Sequence, residues 1–105
     1  MADIMKIMQQ AQQMQSRLQE IQDELQQKTV SAASGGGMVT VQADGKGQVR
    51  SVKIDPSVVN PDDVEMLEDL VLVAMTEAQK KAADLAREET GKLTGGLGLP
   101  FKLPF

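Results

Sequence analysis

From Ile4 to Leu25 the apolar residues of the first segment fall at positions 4, 7, 11, 14, 18, 21 and 25. Steps of three and four alternate without a break, the a/d pattern of a helix that lays a narrow apolar seam against one partner helix. Asp3–Gln27 holds no Gly or Pro and nine Gln, a good helix former that commits no charge. At 1.5 Å per residue, twenty-five residues make a rod about 37 Å long, more than the radius of so small a domain, so part of it is expected to project. The first expected occupant of the seam is a second helix of the same chain, with another subunit as the alternative. Met1, Met5, Met8 and Met14 read as filler at an adaptable helix end rather than as a promiscuous binding surface.

Beyond the rod the periodicity changes. Ser34-Gly-Gly-Gly marks a break, and Thr29–Ala33 before it is short enough for a first strand. Met38–Ala43 alternates, with Val39, Val41 and Ala43 on one face. Asp44-Gly45-Lys46-Gly47 is a hairpin signal, and Gln48–Ile54 is the return strand. Val49 is out of phase with Val52 and Ile54, which predicts a bulge or burial on both faces. Asp55-Pro56 ends that strand. Asn60-Pro61-Asp62-Asp63 then predicts a helix with Asn60 as cap, Pro61 in the first turn and acids at the positive end, running to about Thr90 and stopping at Gly91. Its stripe is Val64, Leu67, Val71, Ala74, Ala78, Ala82 and Leu85. Leu70, Leu72 and Val73 make its middle apolar on further faces, as burial against both a sheet and a second subunit would require.

The fold class is therefore α+β: a long helix, a three-stranded antiparallel meander and a second long helix. Residues 1–92 form one domain, and residues 93–105 read as a flexible Gly/Pro-rich tail, with an ordered clasp as the alternative. The only aromatics of the 105 residues are Phe101 and Phe105, so the core must come from aliphatic residues with little area each. A partner subunit is one way to supply the missing burial.

The same composition excludes several kinds of chemistry. Cys and His are absent, which removes disulfides, thiolate sites and the commonest general base, and agrees with a reducing cytoplasm. No apolar run is long enough to span a membrane. The Gly35–Gly37 run lacks the lysine and following helix of a phosphate-binding loop. Acid pairs such as Asp62-Asp63 stand at a helix start with no nucleophile or electrophile beside them, so no enzyme, cofactor, metal or small-molecule substrate is expected.

The Gln- and Met-rich opening MADIMKIMQQAQQMQSRLQEIQDELQ, the segment DGKGQVRSVKIDPSVVNPDDVEMLEDLVLVAMTEAQKKA and the closing GLGLPFKLPF, taken in that order, resemble the YbaB/EbfC family over the whole chain. The resemblance implies an intertwined homodimer in which sheets of two chains join a central body and the long helices project like tweezers. It also implies a protein of the cytoplasm and nucleoid that binds double-stranded DNA with low sequence preference and contributes to nucleoid organisation, with gene regulation as a consequence. An adaptor for a recombination or replication factor is the alternative reading.

Duplex DNA calls for cations set along a phosphate track. The candidates are Lys6 and Arg17 on the first helix and Lys80, Lys81 and Arg87 on the second, with Arg50 and Lys53 on the return strand in second place. Regular alternation would put Arg50 and Lys53 on opposite faces. Their expected role is phosphate neutralisation, since no aromatic platform for single strands and no base-reading side chain stands out. Charge opposes the idea in part. The net charge is −4, and only residues 28–60 are basic as a block, with four bases against two acids.

Overall fold

The computed structural model describes residues 2–96. Helix α1 (Ala2–Gln27) leads into strands β1 (Thr29–Ser34), β2 (Val39–Asp44) and β3 (Val49–Ile54), a 3-10 turn (Pro56–Val58) and helix α2 (Val64–Gly96). The strands form an antiparallel meander in the order β1-β2-β3. This is the expected α+β order.

Register explains where the core lies. Ala32 pairs with Val41 and Ser34 with Val39 across β1–β2, while Val41 pairs with Val52 and Val39 with Ile54 across β2–β3. Paired residues share a face of the sheet. Helix α2 crosses that face over β1 and β2. Ala74 and Ala78 are fully buried there, small enough to let the helix settle closely on Ala32, Val39, Val41 and Ala43, while Ala82 is fully buried outside that cluster. Leu67, Leu70, Val71 and Met75 close the margins. The Ser34 hydroxyl points into the same layer and donates to the Leu70 carbonyl at 2.6 Å, which satisfies a polar group the sheet would otherwise strand.

The β2–β3 hairpin turns through Gly45–Gly47. Gly47 N–H donates to the Asp44 carbonyl at 3.0 Å, and Asp44 N–H to that of Gln48 at 2.9 Å. Gly47 takes φ +88°, the left-handed residue that closes a three-residue loop. Gly45 is required for a different reason. Its N–H donates to the Leu25 carbonyl at 2.8 Å, and a Cβ there would stand 2.6 Å from that oxygen. The hairpin thus satisfies an orphan carbonyl at the end of α1. Next to the turn, Ala43 pairs with Val49 and Gln42 with Ser51, leaving Arg50 as an extra residue. This is the bulge that the phase slip at Val49 announced.

Three expectations need correction. Helix α2 begins at Val64, not at Asn60-Pro61. The Asn60 carboxamide accepts from Asp62 N–H at 3.0 Å and makes a local turn. Asp63 is the cap, its carboxylate accepting from Met66 N–H at 3.2 Å. Nor does Gly91 end the helix, which continues to Gly96; one glycine inside a helix costs only about 1 kcal/mol relative to alanine. Third, the seam of α1 is covered by α2 only near its C-terminal end. Ile21 and Leu25 are 2 % exposed, whereas Leu18 is 39 % and Ile7 63 % exposed. The tail drawn at 93–105 lies, from residue 97 onward, outside the described residues.

The molecule measures 73 × 23 × 16 Å with a radius of gyration of 19.6 Å. A compact chain of this length would have about 13 Å. The rod does project.

Candidate nucleic-acid interface

The two helices leave the sheet on the same side. Lys28, just past α1, donates from Nζ to Glu89 Oε1 at 2.8 Å, and Lys92 stands 3.6 Å from the same oxygen. The hydrogen bond to Glu89 raises the Lys28 ammonium above its ordinary range, against a smaller effect of burial. The hydrogen bond from Lys28 in turn holds the Glu89 carboxyl below its usual range, with Lys92 contributing. This cluster binds the base of one arm to the other. Its cations are spent on Glu89 and are poorly placed to take phosphate.

The sequence candidates fall into two groups. Lys6 and Arg17 are eleven residues apart on α1, so at 3.6 residues per turn they share one helix face, with Gln10 and Gln13 between them. Arg17 pairs with Glu20 at 2.8 Å, both side chains more than half exposed. Lys80 and Arg87 are seven apart and share a face of α2, and Arg87 pairs with Asp84 at 3.2 Å in an equally open setting. Such exposed pairs contribute only about 0–1 kcal/mol and give way readily to a phosphate. Among the described residues the side chains of Lys6, Lys80 and Lys53 make no ion pair.

Arg50 and Lys81 are engaged elsewhere. The Arg50 guanidinium clasps Asp44 with bonds of 2.8 and 3.1 Å to one carboxylate oxygen. The other oxygen accepts from the N–H groups of Lys46 and Gln48 at 2.9 and 3.0 Å. Burial alone would push the Asp44 carboxyl up, but the N–H groups of Gln48 and Lys46 and the Arg50 charge together bring it below its usual range. Lys81 donates to the Ser31 carbonyl of β1 at 2.8 Å. Lys53 pairs in register with Thr40 on the sheet face opposite α2. The bulge makes Arg50 an extra residue at the hairpin, so the regular alternation used to place it against Lys53 does not extend to it.

Sequence reasoning passed over Asp44 as anything but a turn residue. The signal was present: an aspartate opening a glycine-rich turn six residues before an arginine. Only the bulge brings the two together.

The model of the YbaB/EbfC DNA-binding family matches residues 1–97. The chain belongs to this family. A nucleoid-associated protein of Gemmatimonas aurantiaca is 56 % identical over 103 residues, 98 % of this chain and 99 % of that protein. One of Nitrobacter winogradskyi is 50 % identical over 105 residues, covering 100 % of this chain and 99 % of the other. The crystal structure of an uncharacterized protein, HP0035, from Helicobacter pylori superposes with a TM-score of 0.70 at 20 % identity, covering 89 % of this chain and 94 % of that one, and shows the shared fold. Membership of this nucleoid-associated, DNA-binding family makes the chain a binding protein, not an enzyme. Among the described residues no helix is long and apolar enough to cross a membrane.

Proposed function

We propose that the chain acts as an intertwined, tweezer-like homodimer that binds duplex DNA with low sequence specificity, mainly through phosphates, and contributes to nucleoid organisation in the bacterial cytoplasm. The observation that carries this reading is the placement of Lys6, Arg17, Lys80 and Arg87 on helices that leave the sheet on the same side, in a chain of a DNA-binding family. Lys53 supplies a further open cation on the body. Lys81 and Arg50 contribute less, because each must keep or give up an internal partner.

Burial supports the dimer. Helix α2 covers β1 and β2 but leaves Val52 and Ile54 of β3 open on the same face. Leu72 and Val73 face outward from α2, 63 % and 52 % exposed. A second subunit seated here would cover both sets and give the sheet edge at β3 a neighbour. Two arms related by a two-fold axis would then straddle a duplex, each helix about 10–12 Å across against a major groove about 12 Å wide.

Fluorescence anisotropy of a labelled duplex, titrated at several salt concentrations, tests the reading. Binding should weaken steeply with salt. Replacing Lys80, Lys81 and Arg87 together by Ala should flatten the log–log slope by up to about three. Unchanged affinity in that variant would remove these residues from the interface, and no binding at low salt would remove DNA. The exposed Ile4, Met5, Ile7 and Met8 favour a second reading, an adaptor for a recombination or replication protein. Capture of such a partner through apolar surface should change little with salt.

A further inference from the structure

From Asp3 to Glu20 no residue of α1 is buried, so the direction of this arm is decided in its last two turns. Ile21 and Leu25 are buried there. Apolar burial is non-directional: it holds a helix down without fixing where the helix points. Hydrogen bonds carry direction. The bond from Lys28 Nζ to Glu89 joins two long side chains, each with several rotatable bonds. A second bond runs from main chain to main chain. Gly45 N–H donates to the carbonyls of Leu25 at 2.8 Å and Lys28 at 3.1 Å. The two backbones approach so closely that a Cβ on Gly45 would stand 3.1 Å from Leu25 Cα.

Asp44 aims that N–H. The peptide group joining Asp44 to Gly45 is planar and trans, so its carbonyl and its N–H point opposite ways. The carbonyl accepts from Gly47 N–H at 3.0 Å inside the turn, which leaves the N–H facing α1. The Asp44 side chain locks the loop in this shape. One carboxylate oxygen takes the N–H groups of Lys46 and Gln48, and the other takes Nε and Nη2 of Arg50. All four bonds fall within residues 44–50, around a residue that is 2 % exposed. A carboxylate so enclosed resists movement, because a change of loop shape breaks charge-assisted bonds away from water.

We infer that Asp44 is a positioning residue: its carboxylate shapes the hairpin so that Gly45 N–H meets the end of α1 and fixes the direction in which the arm leaves the body. Asp44 itself needs no contact with DNA. Its weight for function rests on the proposed reading of α1 as one of the arms that straddle a duplex. The two acids at the foot of the arm thus differ in kind. Glu89 ties one side chain to another, whereas Asp44 acts through the main chain and sets an angle.

Spin labels at Gln12→Cys on α1 and Ala33→Cys on β1 measure that angle, because the chain has no other cysteine. Both positions are exposed. Labelled chains refolded with an excess of unlabelled chain report distances within one chain. Against a narrow distribution for the parent pair, Asp44→Ala should give one at least about twofold broader. Arg50→Gln keeps the carboxylate and its two N–H bonds, and should fall between. Val41→Ala is the control for lowered stability, since it cuts the core and leaves the hairpin bonds intact. Its distribution should stay narrow. If Asp44 merely stabilised the fold, Asp44→Ala would melt earlier, as Val41→Ala does, with the distribution still narrow, and that result would overturn the inference. Should Asp44→Ala not fold, Asp44→Asn and Arg50→Gln decide by the same readout, distributions as narrow as the parent's counting against it. No DNA enters these measurements, so failure here leaves the DNA-binding reading standing, and failure of duplex binding leaves the arm's direction tied to Asp44.

Discussion

The face of α2 over the sheet and the outer half of α1 carry apolar residues in similar helical rhythm, yet their fates differ. Ala74, Ala78 and Ala82 are fully buried; Ile4 and Ile7 are larger and more apolar but largely exposed. Hydrophobicity therefore does not rank these positions by burial. What decides is whether the topology brings a second surface opposite. The hairpins return β1 and β2 beneath α2, and nothing among the described residues returns beneath the outer half of α1. A periodic stripe states that a helix wants a partner, and the connections state whether the same chain provides one.

Substitutions can break this contrast. The largest effect is expected for Val41→Asp, which buries a charge where no partner exists and should cost at least about 4 kcal/mol, enough to unfold the body. Ile7→Asp should leave the unfolding free energy of the body, read by urea titration, within about 0.5 kcal/mol of wild type. Equal losses would show that the arm is as integral to the fold as the sheet. Within α1 itself, Leu25→Ala should cost about 2–5 kcal/mol and Leu18→Ala less than about 1. A smaller loss, about 1–3 kcal/mol, is expected for Gly45→Ala, because the methyl group must displace the Leu25 carbonyl.

Acid should give the mildest effect in this series. Asp44 and Glu89 both titrate below their usual range in the folded protein. Their contribution is complete above the unfolded carboxylate value, about pH 4, and is lost as pH falls through the lower folded values. Lys28 has the opposite sign. Its folded value is raised, so its share is complete below the ordinary lysine value and is lost at alkaline pH. Thermal melts should be level around neutral pH and fall at both ends, and Asp44→Asn should shallow the acid limb. A melt that does not change below about pH 4 would mean that these bonds add nothing to folding.

Much of this was legible in the sequence for definite reasons. Strand alternation located Val39, Val41 and Ala43 in the core, and a single out-of-phase valine left a bulge or burial on both faces open, of which the bulge is the one found. The alanines of α2 were legible as a stripe, though not as the residues closest to the sheet. The start of α2 was misplaced because Asn60 offers the same side-chain oxygen to a turn as to a helix cap. Only three-dimensional context gave that oxygen to Asp62 and left Asp63 to open the helix. The cation sites were legible as residue types but not as free charges. Nothing linear says that Lys81 bonds Ser31 or that a bulge swings Arg50 onto Asp44.

The bond from Gly45 to the last turn of α1 has a mechanical consequence. It makes the β2–β3 hairpin the pivot of a long lever. From Leu25 to Ile4 the rod extends about 31 Å, so a rotation of about 5° at that glycine sweeps the far end through roughly 3 Å. Whatever closes on the arms meets an end whose position is geared to a hairpin at the other end of the helix.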